Sequence, residues 1–98
     1  MLFRSPAKRL ADGSYQTPSC NMLCNFTKPT EDRPSLLQHS EVETLFHEFG
    51  HVIHDLLGRS ELALFSDTPE WDFIEAPSQI MQHWLWQTSV LQRFARHY

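Results

Sequence analysis

Residues 44–57 read T-L-F-H-E-F-G-H-V-I-H-D-L-L, and this stretch decides the fold of the chain. Apolar residues recur along it at intervals of three and four, which predicts a continuous helix with a single apolar stripe. Ser40 precedes the run with Glu43 three residues later, as in a capping box, and Gly58 follows it. We therefore predict a helix over residues 41–58.

A second helical pattern follows a polar connection at residues 59–70. Its apolar spacing predicts a helix over residues 71–98, with Pro77 near the first turn. Residues 1–40 are predicted as loop and linker around one short edge strand at residues 19–27, where the residues alternate. The predicted fold class is therefore mainly α: two long antiparallel helices preceded by a short edge strand or hairpin.

Composition narrows the possible functions. The chain has 98 residues, of which 41% are hydrophobic, and this suffices for one small domain. A formal net charge of -4 argues against a nucleic-acid partner, and no apolar run is long enough to span a bilayer, so we expect no membrane partner.

The two cysteines bear on the cellular compartment. On a strand, Cys20 and Cys24 would lie about 13 Å apart, too far for a disulfide. Two reduced thiols suit a reducing compartment, so we expect a cytoplasmic protein. The basic stretch over residues 1–10 is the reason for keeping a mitochondrial location as the alternative.

The histidine pair of the first helix indicates a metal site. His47 and His51 are separated by about 40° around the helix axis and by one turn of rise, so both imidazoles can reach a single zinc ion. Glu48 is rotated by about 100° from His47 and need not bind the metal. It is instead the candidate general base that takes a proton from the attacking water.

A catalytic zinc ion has three protein ligands, and the third must come from outside this helix. Glu75, at the head of the second predicted helix, is the leading candidate, and Asp72 and Glu70 are its competitors. Asp72 is equally suited to cap that helix with Glu75 at its third position, which would turn the Glu75 carboxylate back to the backbone.

Two further residues have alternative roles. Glu43 lies one turn before His47 and either accepts a hydrogen bond from its distal nitrogen or serves the capping box. His54 lies one turn beyond His51 and is either a substitute ligand or part of the cleft lining. If His54 or Asp72 closed a four-ligand site, the chain would be a non-catalytic helical interaction module with a structural or vestigial metal.

Four blocks of sequence together resemble the active-site core of the thimet oligopeptidase family of zinc metallopeptidases. The resemblance implies a zinc endopeptidase that hydrolyses short peptides, with His47, His51 and Glu75 as zinc ligands and Glu48 as general base. It also implies that the segment at residues 19–27 is an edge strand that pairs with the substrate backbone. The four blocks are N-F-T-K-P-T at 25–30, P-S-L-L-Q-H at 34–39, E-V-E-T-L-F-H-E-F-G-H at 41–51 and W-D-F-I-E-A-P-S-Q at 71–79.

The length of the chain limits what the resemblance implies. Members of the family are several times longer, so we expect residues 1–98 to be a fragment of a larger helical metallopeptidase domain. The family's donors to the oxyanion have no counterpart in this sequence, and losing such a donor costs about 10²–10³ in rate. We expect the isolated chain to bind zinc weakly, to hydrolyse peptides barely or not at all, and to need the missing parts of the domain.

Overall fold

The computed structural model describes residues 2–58 and 70–97. The predicted connection at residues 59–70 therefore lies outside the described residues, apart from Glu70. The described chain begins with short strands, continues into one long helix and ends in three short helical segments. The strands are β1 (Leu2–Ser5), β2 (Lys8–Arg9), β3 (Tyr15–Gln16) and β4 (Ser19–Met22).

The strands form two small antiparallel ladders, which differ from the loop predicted for the start of the chain. β1 pairs with β4, so that Ser5 lies opposite Ser19, and β2 pairs with β3. A tight turn at residues 11–14, A-D-G-S, explains the difference. Asp12 Oδ1 accepts the Ser14 N–H at 2.9 Å and Gly13 adopts φ 83°, which reverses the chain and brings the flanking residues together.

Side chains along β4 alternate between exposed and half-buried, as was expected of an edge strand. From Ser19 onward every second residue is half-buried, including Met22 and Phe26, and the residues between them are exposed. The ladder ends at Met22, so the strand is shorter than predicted. Cys20 Sγ lies 4.0 Å from the Val52 carbonyl oxygen, which places the half-buried side of β4 against the long helix.

The long helix α1 (His39–Leu57) begins earlier than predicted. The predicted capping box of Ser40 and Glu43 is wrong, because Glu41 holds the helix start instead. Its Oε2 accepts the Gln38 N–H at 2.8 Å, and its Oε1 accepts both the N–H and the hydroxyl of Thr27, each at 2.8 Å. Glu41 therefore satisfies three donors and ties the preceding loop to α1.

The second helical region is divided rather than continuous over residues 71–98. It consists of α2 (Glu75–His83), a 3₁₀ turn (Trp84–Trp86) and α3 (Thr88–Leu91). The break falls at Gln87, whose φ of -86° and ψ of 119° are extended. Pro77 is the third residue of α2, where its missing N–H costs no helical hydrogen bond.

α1 and α2 cross in opposite directions with their backbones in contact. The His54 ring lies near Phe73 at one end of the crossing, and Glu43 is bonded to Gln82 at the other. Gly50 makes the close approach possible: a Cβ there would lie 2.5 Å from Ser78 Cα. The predicted fold class, mainly α with a preceding strand hairpin, is confirmed.

Apolar packing within the described residues is limited. Leu85 and Ala7 are almost fully buried, whereas Trp71 is 87% exposed and Trp86 is 65% exposed. Leu57 in α1 and Ile80 in α2 are likewise exposed, at 73% and 61%, so both helices present apolar surface that this part of the chain leaves uncovered. None of the described helices has the length and apolar character needed to cross a membrane.

Candidate metal centre

Three side chains from the two crossing helices meet at one point. His47 and His51 project from neighbouring turns of α1, and Glu75 is the first residue of α2. Glu75 Oε2 lies 3.2 Å from His47 Nε2 and 3.5 Å from His51 Nε2. The ligand atoms of all three residues lie within 4.8 Å of one another.

These distances fit a tetrahedral zinc ion. Zinc–ligand bonds of about 2.0–2.1 Å place neighbouring ligand atoms of a tetrahedron about 3.3–3.4 Å apart, close to the two distances from the Glu75 carboxylate. Two imidazole nitrogens and one carboxylate oxygen are also a ligand set that zinc accepts. The Glu75 side chain is 49% exposed, which leaves that side of the cluster open to water.

Glu75 is oriented by its own helix. Ser78, one turn later and fully buried, has its Oγ 2.8 Å from Glu75 Oε2 and 2.8 Å from the Glu75 carbonyl oxygen. Its single hydroxyl proton is donated to one of these acceptors at a time. The carboxylate therefore faces the histidines and the hydroxyl of Ser78, and does not bend back to cap the helix.

The two competitors of Glu75 lie apart from the cluster. Asp72 is exposed in the turn before α2, and Ile74, rather than Asp72, is the residue at the helix cap. Glu70 is also exposed, and its carbonyl oxygen accepts the Phe73 N–H within the same turn. Among the residues described, neither carboxylate belongs to the group that brings its ligand atoms together.

Glu43 reaches the metal centre indirectly. Its Oε1 accepts a hydrogen bond from Gln82 Nε2 at 2.8 Å, and Gln82 Oε1 lies 3.1 Å from His47 Nδ1. Neither role weighed for Glu43 is observed: it does not bond to His47 directly, and the cap belongs to Glu41. A glutamine from the facing helix stands between the two residues.

His54 and Glu48 occupy different environments. The His54 ring meets the Phe73 ring edge-on, with centroids 6.3 Å apart, and His54 is not part of the metal-binding group within residues 2–58 and 70–97. Glu48 is half-buried beside His47. Within the same ranges its carboxylate has neither a hydrogen bond nor an ion pair that would restrain it.

Sequence reasoning missed three residues of this centre: Gly50, Ser78 and Gln82. A signal was present for the last two, because residues three and seven positions after Glu75 lie within about 60° and 20° of it on a helix. Both positions therefore share the face of α2 that carries Glu75. Gly50 gave no such signal, since its importance depends on how closely α2 approaches.

A family model described as "Peptidase family M3" matches residues 2–98. The chain belongs to peptidase family M3. Thimet-like oligopeptidase of Dictyostelium discoideum is 50% identical to this M3 chain over 95 residues, which are 95% of the chain and 14% of that protein. The resemblance seen in the sequence is therefore confirmed.

Two further relatives extend the comparison. Oligopeptidase A of Escherichia coli is 46% identical to the M3 chain over 92 residues, which are 92% of the chain and 14% of that protein. Saccharolysin of Saccharomyces cerevisiae is 44% identical over 89 residues, which are 89% of the chain and 12% of that protein. The chain thus spans only a small part of the length of each relative.

Proposed function

We propose that this chain carries the centre of a zinc-dependent metalloendopeptidase that hydrolyses short peptides. His47, His51 and Glu75 hold one zinc ion, and Glu48 is the general base. The proposal depends on one observation: Glu75 Oε2 lies 3.2 Å from His47 Nε2 and 3.5 Å from His51 Nε2. Membership of a peptidase family supports the same reaction class.

When bound, the zinc ion supplies Lewis-acid activation of water and of the scissile carbonyl. The remaining steps belong to the protein. Glu48 takes a proton from the attacking water and gives it to the leaving amine. Glu48 is half-buried and displaced by about 100° from His47 around the helix axis, which leaves it beside the proposed metal site rather than within the ligand set.

β4 offers a binding edge for an extended substrate. Within the described residues β4 has one strand neighbour, β1, so its second edge has unpaired backbone groups. A peptide that adds to this edge forms main-chain hydrogen bonds that do not depend on its side chains. The names of the relatives, oligopeptidase A and thimet-like oligopeptidase, support short peptides as the substrate class.

The geometry favours this proposal over a non-catalytic module with a structural metal. A structural zinc site is closed by a fourth protein ligand. His54 and Asp72 were the candidates for that ligand, and neither joins the described group of three. Residues 2–58 and 70–97 thus supply three ligand atoms and no fourth, so a zinc ion held by them would keep a position for water, as catalysis requires.

The rest of an M3 domain is the partner that the proposal requires. Large apolar side chains of α1 and the α2 region are exposed, among them Leu57 at 73% and Ile80 at 61%. We infer that the remainder of the domain covers them, and that the isolated chain binds zinc weakly and cleaves peptides barely or not at all. A family domain supplies both the cover and the missing oxyanion donors.

For the compartment, we propose the cytoplasm, with the mitochondrion as the alternative. Cys20 and Cys24 are both free thiols, which suits a reducing environment. Two relatives in Arabidopsis thaliana are named as a probable cytosolic and as an organellar oligopeptidase A, so both compartments have precedents.

The test uses a chimera in which this chain replaces the matching 92 residues of Escherichia coli oligopeptidase A. In that chimera, Glu48→Gln should keep zinc bound while peptide cleavage falls by about 10²–10⁴, the contribution of a general base. Zinc content is measured by metal analysis and cleavage with a quenched fluorescent peptide.

The matched control is Glu31→Gln, which removes an exposed carboxylate from the loop before α1. It should leave both cleavage and zinc content unchanged. Full cleavage by the Glu48→Gln chimera would show that Glu48 is not the general base. Zinc bound just as tightly after Glu75→Ala would remove Glu75 from the ligand set.

A further inference from the structure

Gln82 stands between a carboxylate and a histidine of the metal centre. Its Nε2 lies 2.8 Å from Glu43 Oε1, and its Oε1 lies 3.1 Å from His47 Nδ1. Glu43 and His47 lie on the same face of α1, one turn apart, whereas Gln82 comes from α2. Gln82 therefore joins the two helices at the point where the first ligand projects.

We call the hydrogen-bonded series Glu43–Gln82–His47 the relay. The chemistry of its three side chains determines which group donates and which accepts in each hydrogen bond. A carboxylate has only acceptors, so the Gln82 amide must turn its NH₂ group toward Glu43. The amide oxygen then faces His47, and it can only accept. His47 must therefore carry a proton on Nδ1, so that in the neutral ring the lone pair belongs to Nε2, which lies 3.2 Å from Glu75 Oε2.

We propose that Gln82, anchored by Glu43, is a positioning residue that fixes the tautomer and ring orientation of His47 for metal binding. The inference rests on the proposed zinc site. A ligand histidine commonly donates its second ring N–H to a protein acceptor, and loss of that acceptor costs about 10–100-fold in metal affinity or activity. Here the acceptor is a neutral amide whose orientation a third residue sets.

His51 offers a comparison within the same site. The hydrogen bonds of the described residues include an acceptor for His47 Nδ1 but none for a ring nitrogen of His51, apart from the shared contact with Glu75. His51 is more buried, with 15% of its side chain exposed against 29% for His47. Packing restrains His51, whereas the relay restrains the more exposed ring.

The experiment measures zinc affinity, by competition with a chelator, in the chimera with Escherichia coli oligopeptidase A. Gln82→Met removes the donor and the acceptor while keeping a long side chain, and it should weaken zinc binding by about 10-fold or more. Glu43→Met leaves Gln82 in place without its anchor, so its effect should be smaller. Gln79→Met, at an exposed position of the same helix, is the matched control and should have no effect.

Exchanging the side chains at positions 43 and 82 distinguishes an effect of the hydrogen bonds on His47 from an effect of packing alone. In the double variant Glu43→Gln with Gln82→Glu, the amide at position 43 donates to the carboxylate at position 82, whose second oxygen accepts the His47 Nδ1–H. The relay is then rebuilt with its groups exchanged. Zinc affinity should return to that of the unaltered chimera, and the visible spectrum of the cobalt-loaded protein should return with it.

Two outcomes would overturn the inference. One is a Gln82→Met chimera whose zinc affinity stays within about twofold of the unaltered chimera, below the range expected for such a residue. The other is a double variant that binds zinc no better than Gln82→Met. Failure of the proposed function looks different, because the unaltered chimera would itself neither retain zinc nor cleave peptides.

Discussion

α1 and the region from α2 to α3 carry similar apolar spacing but form different structures. α1 is unbroken over 19 residues, whereas the second region divides into helices of 9 and 4 residues on either side of a 3₁₀ turn. Glu75, Ser78 and Gln82 all lie in the first of these pieces. The candidate metal centre therefore uses two neighbouring turns of the long helix α1 and one short helix opposite them.

The two helices also begin differently. The start of α1 is tied by the Glu41 carboxylate to Gln38 and Thr27. α2 has no side-chain hydrogen bond at its cap residue, Ile74. Its position depends instead on contact with α1 around Gly50, while the hydroxyl of Ser78 orients Glu75 within α2. The crossing should consequently be the most sensitive part of the site.

Gly50→Ala should break the crossing. The added Cβ would lie 2.5 Å from Ser78 Cα and 2.7 Å from the Pro77 carbonyl oxygen, and backbone atoms cannot rotate away as a side chain can. The helices must separate, at a cost of about 1–3 kcal/mol in the free energy of unfolding. Because Glu75 then withdraws from both histidines, zinc affinity should fall more than in any other variant of this comparison.

The measurement is thermal unfolding of the chimera, followed by chelator competition at a temperature where it remains folded. Thr44→Ala is the control, since it changes an exposed residue of the same helix. If Gly50→Ala bound zinc as tightly as Thr44→Ala, the close approach would not be what assembles the site.

Ser78→Ala should loosen the start of α2 with a smaller effect. It removes the 2.8 Å hydrogen bond to Glu75 Oε2, so the half-exposed carboxylate gains freedom to turn toward solvent. Zinc affinity should fall by about 10-fold, as for other residues that orient a ligand. Chelator competition measures the loss, and Ser89→Ala, at an exposed position of α3, should leave the affinity unchanged. An equal loss in both variants would mean that the hydroxyl does not orient Glu75.

The ligand set was predictable because helix geometry is local. Two histidines four residues apart must share a face of α1, and Glu75 was already the leading candidate from its place at the head of the second predicted helix, a choice that the family resemblance then supported. Gln82 and Ser78 lie on the face of α2 that carries Glu75, but their partners depend on how the helices cross. No periodicity in the sequence encodes that crossing, since it is set by the missing side chain of Gly50.

The ends of the helices were less predictable than the ligand set, because several side chains compete for the same backbone groups. Ser40 and Glu43 form a good capping pattern, yet Glu41 bonds to a loop residue fourteen positions earlier as well as to Gln38. A capping rule that considers only neighbouring residues cannot predict a hydrogen bond over that distance in the sequence. In the second region, the extended backbone at Gln87 interrupts a pattern whose apolar spacing continues beyond it.

Acid should loosen the start of α1 while leaving its body helical, the smallest of the three effects. The Gln38 N–H, followed by the Thr27 N–H and hydroxyl, lowers the pKa of Glu41 below its ordinary value of 4.5. A carboxyl group with a lowered pKa in the folded state contributes stability above its ordinary value and loses it as the pH falls through the folded value. The contribution should therefore be complete at neutral pH, begin to fall as the pH drops through 4.5, and disappear only below the lowered pKa that Glu41 has in the folded state.

Hydrogen exchange of the segment containing Thr27, corrected for the intrinsic rate at each pH, measures this loss in the chimera. Glu41→Gln keeps a carbonyl acceptor but cannot titrate, so its exchange should not change over the same pH range. If the unaltered and Glu41→Gln proteins lost protection together, another group would hold the loop to α1. If only the unaltered protein did so, the start of α1 would be held by the charge of Glu41, in contrast to α2, whose cap residue Ile74 makes no side-chain hydrogen bond.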